Sequence, residues 1–79
     1  MNTYNGWTNY ATWRINLEML DGYEHTQTEA YDLANEIQEY VVTYIDETTP
    51  NGLAKDYALA FIRDVNFYEI AEHLISESE

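Results

Sequence analysis

Apolar residues recur along the chain with a period close to one helical turn. From Asn9 to Leu20, the residues Tyr10, Trp13, Leu17 and Leu20 are spaced three, four and three apart, which predicts one face of a first helix. Asp21-Gly22 ends it, with Gly22 free to turn left-handed. Ala30, Leu33, Ala34, Ile37, Val41, Tyr44 and Ile45 predict a second, longer helix between Thr26 and Asp46. Thr26 and Glu29 have capping-box spacing at its start. The run Glu47-Thr48-Thr49-Pro50-Asn51-Gly52 reads as a loop. A third helix follows from Leu53 to Arg63, with Leu53, Tyr57, Ala60 and Phe61 as its inward positions. The fourth begins at Asn66. Asn66 and Glu69 form a second capping-box pair, Val65 and Ile70 are placed for a hydrophobic staple, and Phe67, Ile70, Ala71 and Leu74 share a face. No segment alternates with period two, and there is no internal repeat. The pattern predicts an all-α protein, a compact bundle of about four short helices.

At 79 residues this is one domain, 1–79, with little stability to spare. Trp7, Trp13, Phe61 and Phe67 are the expected large core anchors. The hydrophobic fraction, 46%, separates the chain from disordered acidic tails.

Charge changes the picture most. Fifteen Asp and Glu face three Lys and Arg, a net charge of −12. Direct nucleic-acid binding requires a basic face and is excluded. Without Cys there is no disulfide framework or thiolate zinc site. No apolar run is long enough for a membrane span, and the start has no signal-peptide pattern. A cytoplasmic protein is expected.

The acidity is also localised. Between Arg14 and Lys55 there is no Lys or Arg, while Glu18, Asp21, Glu24, Glu29, Asp32, Glu36, Glu39, Asp46 and Glu47 all lie there. Glu29, Asp32, Glu36 and Glu39 recur at three, four and three, beside the apolar stripe. Like charges at those spacings cost about 0.2–0.5 kcal/mol per pair. Asp46, Glu47, Glu77 and Glu79 sit near helix C-termini, where the backbone dipole favours cations. One reading is a solvated face that confers solubility. The sharper one is that the carboxylates imitate nucleic-acid phosphates. Their axial spacing, about 4.5–6 Å at a rise of 1.5 Å per residue, loosely follows the 3.4 Å phosphate spacing of a strand. Asp56, Asp64, Glu69 and Glu72 are candidates to fill in. The expected partner-binding residues are Glu29, Asp32, Glu36, Glu39, Asp46 and Glu47, with Tyr31 and Tyr40 as anchors at the border of the acidic and apolar stripes.

Catalytic and metal motifs are missing. His25 falls in a loop and His73 follows Glu72 on the last helix, neither with a nucleophile motif. There is no H-E-x-x-H, no calcium loop and no phosphate-binding glycine loop. No cofactor, metal or catalytic residue is expected.

Asn5-Gly6-Trp7-Thr8-Asn9-Tyr10-Ala11-Thr12-Trp13 resembles N-G-W-x-N-x-x-T-W, the N-terminal signature of a family of small uncharacterised phage and bacterial proteins. The segment Asn66-Phe67-Tyr68-Glu69-Ile70-Ala71-Glu72-His73-Leu74 is similar to the family's closing segment. Physically the signature looks architectural: Asn5-Gly6 as a turn, Thr8 or Asn9 as a cap, Trp7 and Trp13 as anchors. The resemblance implies phage and mobile elements. In size and acidity the chain is similar to phage anti-CRISPR and anti-restriction DNA mimics. The expectation is an inhibitor of bacterial defence, acting without turnover in the host cytoplasm. Its acidic face would bind a basic nucleic-acid-binding protein or nucleoprotein complex, a type I CRISPR surveillance complex first, and exclude target DNA. Anti-restriction activity and a non-mimic interaction module stay open, and a homodimer is compatible with the sequence.

Overall fold

A computed structural model describes residues 6–78; Tyr4, Asn5 and Glu79 lie outside them. The architecture is all-α, as the periodicity predicts. Helix α1 spans Tyr10–Ile15 and runs directly into a π-helical turn, Asn16–Leu20. Helix α2 spans Ala30–Thr48, α3 Leu53–Arg63 and α4 Phe67–Ser78. The molecule is a slab with principal extents of 41 × 32 × 18 Å. Its thinnest dimension is less than two helix diameters of about 10–12 Å. Helices in such a slab cannot be covered on every side.

The core runs between α2 and α4. Leu33, Ala34, Ile37 and Val41 of α2 meet Phe67, Ile70, Ala71 and Leu74 of α4, all buried. These are the positions the periodicity assigned inward. Tyr44, the other large member of the α2 stripe, is exposed. Val65 and Ile70 are both buried, as the staple requires.

The inward faces of α1 and α3 differ from expectation. Ala11, Thr12 and Ile15 are buried, whereas Tyr10 and Leu17 are exposed and Trp13 is half-buried. The π turn explains how Leu20 nevertheless reaches the core. Asp21 N–H donates to the Asn16 carbonyl at 2.7 Å, closing a five-residue turn. The extra residue delays the winding, so Leu20 aligns with Ala11 and Ile15 at spacings of four and five. A straight α-helix would leave it in line with Tyr10 and Leu17. On α3, Ile62 is buried and Lys55, Ala58 and Leu59 are half-buried. Leu53, Tyr57 and Ala60 face outward, and Phe61 sits at the edge. The core is consequently aliphatic. Of the four expected anchors only Phe67 is buried; Trp7 and Phe61 pack against the core from its edge, and Trp13 is half-buried.

Helix ends hold further differences. Thr26 does not cap α2; the helix starts three residues later than the capping-box reading, with Glu29 as its N-cap and no side-chain cap bond. The segment before it is held instead by Tyr23, His25 and Gln27, described below. At the other end α2 continues through Glu47 and Thr48, where Thr48 Oγ1 donates back to the Tyr44 carbonyl at 2.7 Å. Gly22 does turn left-handed, at φ +77°.

A polar knot joins α1 to the α3–α4 corner. Asn9 caps α1: its Oδ1 accepts from Thr12 N–H at 2.8 Å and from Thr12 Oγ1 at 2.7 Å. Having donated its proton, the fully buried Thr12 hydroxyl accepts from Asn66 N–H at 2.8 Å. Asn9 Nδ2 donates to the Asp64 carbonyl at 2.8 Å. Asn66 in turn caps α4, accepting from Glu69 N–H at 3.0 Å. The second half of that expected box is diverted, because Glu69 Oε1 accepts from Thr8 N–H at 3.1 Å. Trp7 and His73 stack with ring centroids 4.3 Å apart. The two segments that carry the family resemblance thus bind each other.

Replacing Thr12 by Val keeps the shape and leaves the Asn66 N–H without its acceptor. A loss of about 1–3 kcal/mol is expected, read as a fall in Tm of about 4–8 °C per kcal/mol. Thr12→Ser retains the hydroxyl and should recover most of it.

Candidate partner-binding surface

Helix α2 has three longitudinal faces. Its core face has been described. A second carries Tyr31, Asn35, Gln38 and Val42, at spacings of four, three and four. It lines a 710 Å³ cleft whose opposite wall is formed by Leu59, Ile62, Arg63 and the residues of the α3–α4 corner. The third face is acidic.

The acidic face brings together most of the expected binding residues. Asp32, Glu36, Glu39 and Glu47 project from one side of α2, with Glu29 at its N-cap. From Glu29 to Glu47 the row extends about 27 Å at 1.5 Å per residue. A DNA strand would set about eight phosphates over that length, so the row has little more than half a strand's charge density. It is also interrupted. Between Glu39 and Glu47 the surface belongs to Tyr40, Thr43 and Tyr44, which line a 390 Å³ cleft with Tyr23, Glu36, Glu39 and Glu47. Tyr40 and Tyr44 are about half exposed. Tyr23 and Tyr40 approach with ring centroids 5.4 Å apart.

Not all of the carboxylates are free to meet a partner. Glu36 is half-buried, accepting from Tyr23 Oη at 2.8 Å and Gln27 Nε2 at 3.3 Å. It pins the α1–α2 connection onto α2, in the region where Thr26 was expected to cap the helix. Asp46 pairs with Lys55 Nζ at 2.7 Å. Lys55 has only 12% of its side chain exposed, so the pair fastens α3 to α2. Glu18 pairs with Arg14 at 3.3 Å. Three of the nine carboxylates between the flanking cations are therefore engaged within the molecule. Glu29, Asp32, Glu39 and Glu47 remain as the exposed carboxylates of the expected set outside these internal pairs.

The tyrosines also divide. Tyr40 borders the acidic row, as its position on the helix suggested, but Tyr31 lies on the opposite border of α2, against the larger cleft. Tyr23 and Tyr44 join the acidic cleft without having been singled out. Tyr44 could have been found from sequence, since it follows Tyr40 by one turn. Tyr23 could not, because a loop residue has no helical register. Of the proposed supplementary acids, Glu69 is taken up by the polar knot.

Neither histidine meets a nucleophile. His25 Nδ1 lies 3.0 Å from the Gln27 carbonyl oxygen, which requires the proton on Nδ1, and His73 stacks on Trp7. Among the described residues no group of three or more His, Cys, Asp or Glu is arranged to hold a metal ion, and no helix is long and apolar enough to cross a membrane. Comparison with known protein families, curated proteins and solved structures gives no match.

Burial pushes the Tyr23 phenol up to about 12, helped by its hydrogen bond to Glu36, the negative charge of Glu36, and Tyr40. The folded state holds this proton more tightly than the unfolded chain, where tyrosine titrates near 10. The resulting stabilisation is complete below about pH 10 and is lost as pH rises towards 12. Tyr23→Phe should remove the last-titrating phenolate from a 295 nm absorbance titration and flatten the alkaline loss of stability.

Proposed function

We propose that the acidic face of α2 binds a Lys/Arg-rich nucleic-acid-binding surface of another protein and competes with nucleic acid for it. The observation that carries this reading is the cleft in which Glu36, Glu39 and Glu47 meet Tyr23, Tyr40 and Tyr44. A guanidinium or ammonium entering there would find carboxylates and aromatic faces together. A cation–π contact adds about 0.5–1 kcal/mol at an exposed site. The flanking acids Glu29 and Asp32 would steer the approach. α2 has no Lys or Arg to neutralise this face, apart from the Lys55 pair at its far end.

The expected setting is phage inhibition of bacterial defence, with a CRISPR effector as the basic partner and a type I surveillance complex first. A restriction enzyme would present the same chemistry. Inhibition of this kind is stoichiometric and depends on occupancy, not turnover.

The test is competition with target DNA on a purified type I surveillance complex across a salt series. The double variant Glu39→Lys/Glu47→Lys should lose at least tenfold in affinity, and the wild type should weaken steeply as salt rises. Asp46→Asn should bind normally while losing about 1 kcal/mol of stability, because Lys55 loses its charged partner and keeps only its hydrogen bond to Asn51 Oδ1. Full competition by the charge-reversed variant, folded by circular dichroism, would remove the acidic face from the mechanism. If no competition occurs on that complex, the same series on basic proteins captured from a host lysate decides between another target and none.

A further inference from the structure

The acidic cleft of α2 is centred on a residue that carries no charge. Thr43 lies one helical turn after Glu39 and one turn before Glu47, so the two acids stand about 6 Å to either side of it along the axis. All three residues are exposed. Tyr40 and Tyr44 run alongside, again one turn apart and about half exposed, and the five residues line the same 390 Å³ cleft.

The aromatic wall is held before anything enters. Glu36 accepts the Tyr23 hydroxyl at 2.8 Å, and the Tyr23 ring backs Tyr40 with centroids 5.4 Å apart and planes inclined at 57°. Glu36 and Tyr23 are therefore positioning residues. Neither Glu39 nor Glu47 forms an ion pair among the described residues, so both carboxylates are open to a cation from outside.

A wall of acids beside aromatic rings separates the two basic side chains. Charge alone treats them alike, because each brings one positive charge. A guanidinium is flat, weakly hydrated and carries donors along its edges, so it can stack on a ring while its edges face carboxylates. An ammonium is a compact, strongly hydrated charge with no flat side. We propose that this cleft selects arginine over lysine. The guanidinium lies over Thr43, with its edges toward Glu39 and Glu47 and its flat side against the Tyr40 and Tyr44 rings. The assignment rests on reading the acidic face as a surface for basic proteins, and adds which basic side chain the cleft takes.

Calorimetric titration of the full chain with hexaarginine and with hexalysine, at about 50 mM NaCl so that screening stays weak, tests the proposal. Hexaarginine should bind about fivefold more tightly or better. The double variant Tyr40→Leu/Tyr44→Leu leaves the charge unchanged and should bring the two peptides to within about twofold of each other. Tyr44→Leu alone, at a position in no ring pair among the described residues, should at least halve the preference and decides the matter if the double variant fails to fold by circular dichroism. Equal binding of the two peptides by the wild type overturns the selectivity and leaves a surface that reads charge only. A preference for arginine that survives the tyrosine substitutions overturns it as well, because the rings then play no part. If neither peptide binds, the reading of the acidic face falls together with the selectivity.

Discussion

The Thr12 hydroxyl closes the fold. Fully buried at the start of the chain, it donates to the cap of its own helix and accepts from the backbone of Asn66, fifty-four residues on. A buried hydroxyl needs partners for both functions, and this geometry supplies them. Once Asn9 and Thr12 are bound to the α3–α4 corner, the orientation of α1 is set. Ala11 and Ile15 must then face the core, and Tyr10 and Leu17 must face out. The π turn follows from the same constraint, since it is what returns Leu20 to the interior. Even the exposed layer on α1 is thus a consequence of where one hydroxyl is held.

The molecule spreads its charge as unevenly as its apolar surface. Like charges along α2 oppose folding, yet the helix keeps them on one face and has no cation there of its own. Two of the three cations are spent on internal pairs, Arg14 with Glu18 and Lys55 with Asp46. The thin slab makes this division possible, because each layer has a broad face turned to solvent. One face is acidic with tyrosines in a cleft, and another exposes Leu53 and Tyr57 of α3.

The buried faces of α2 and α4 were legible from sequence, Tyr44 apart, whereas the ends of α2 were not. Each helix has one apolar face and a single long partner, so periodicity and burial coincide. The acidic row was legible too, because four carboxylates on one helix need no tertiary contact to share a side. Helices α1 and α3 were legible as helices but not in orientation. Both carry apolar residues on two sides, Leu53 and Tyr57 against Ala58, Leu59 and Ile62 on α3. Local pattern then favours the bulkier side, while the core of a thin slab accepts the side with the smaller aliphatic residues.

The amino-acid sequence by itself determined the helical class, the number of helices, the core face of α2 and α4, and the acidic character of α2, because all of these depend on spacing within one element. Tertiary structure decided what depends on meetings between elements. It assigned Glu36 to Tyr23 and Asp46 to Lys55, which engages both carboxylates within the molecule. It brought Tyr23 from a loop into the cleft with Tyr40 and Tyr44, and turned Tyr31 to the other side of α2. It also fixed which side of α1 is buried, since a hydroxyl and a backbone N–H fifty-four positions apart must find each other to leave water at little cost.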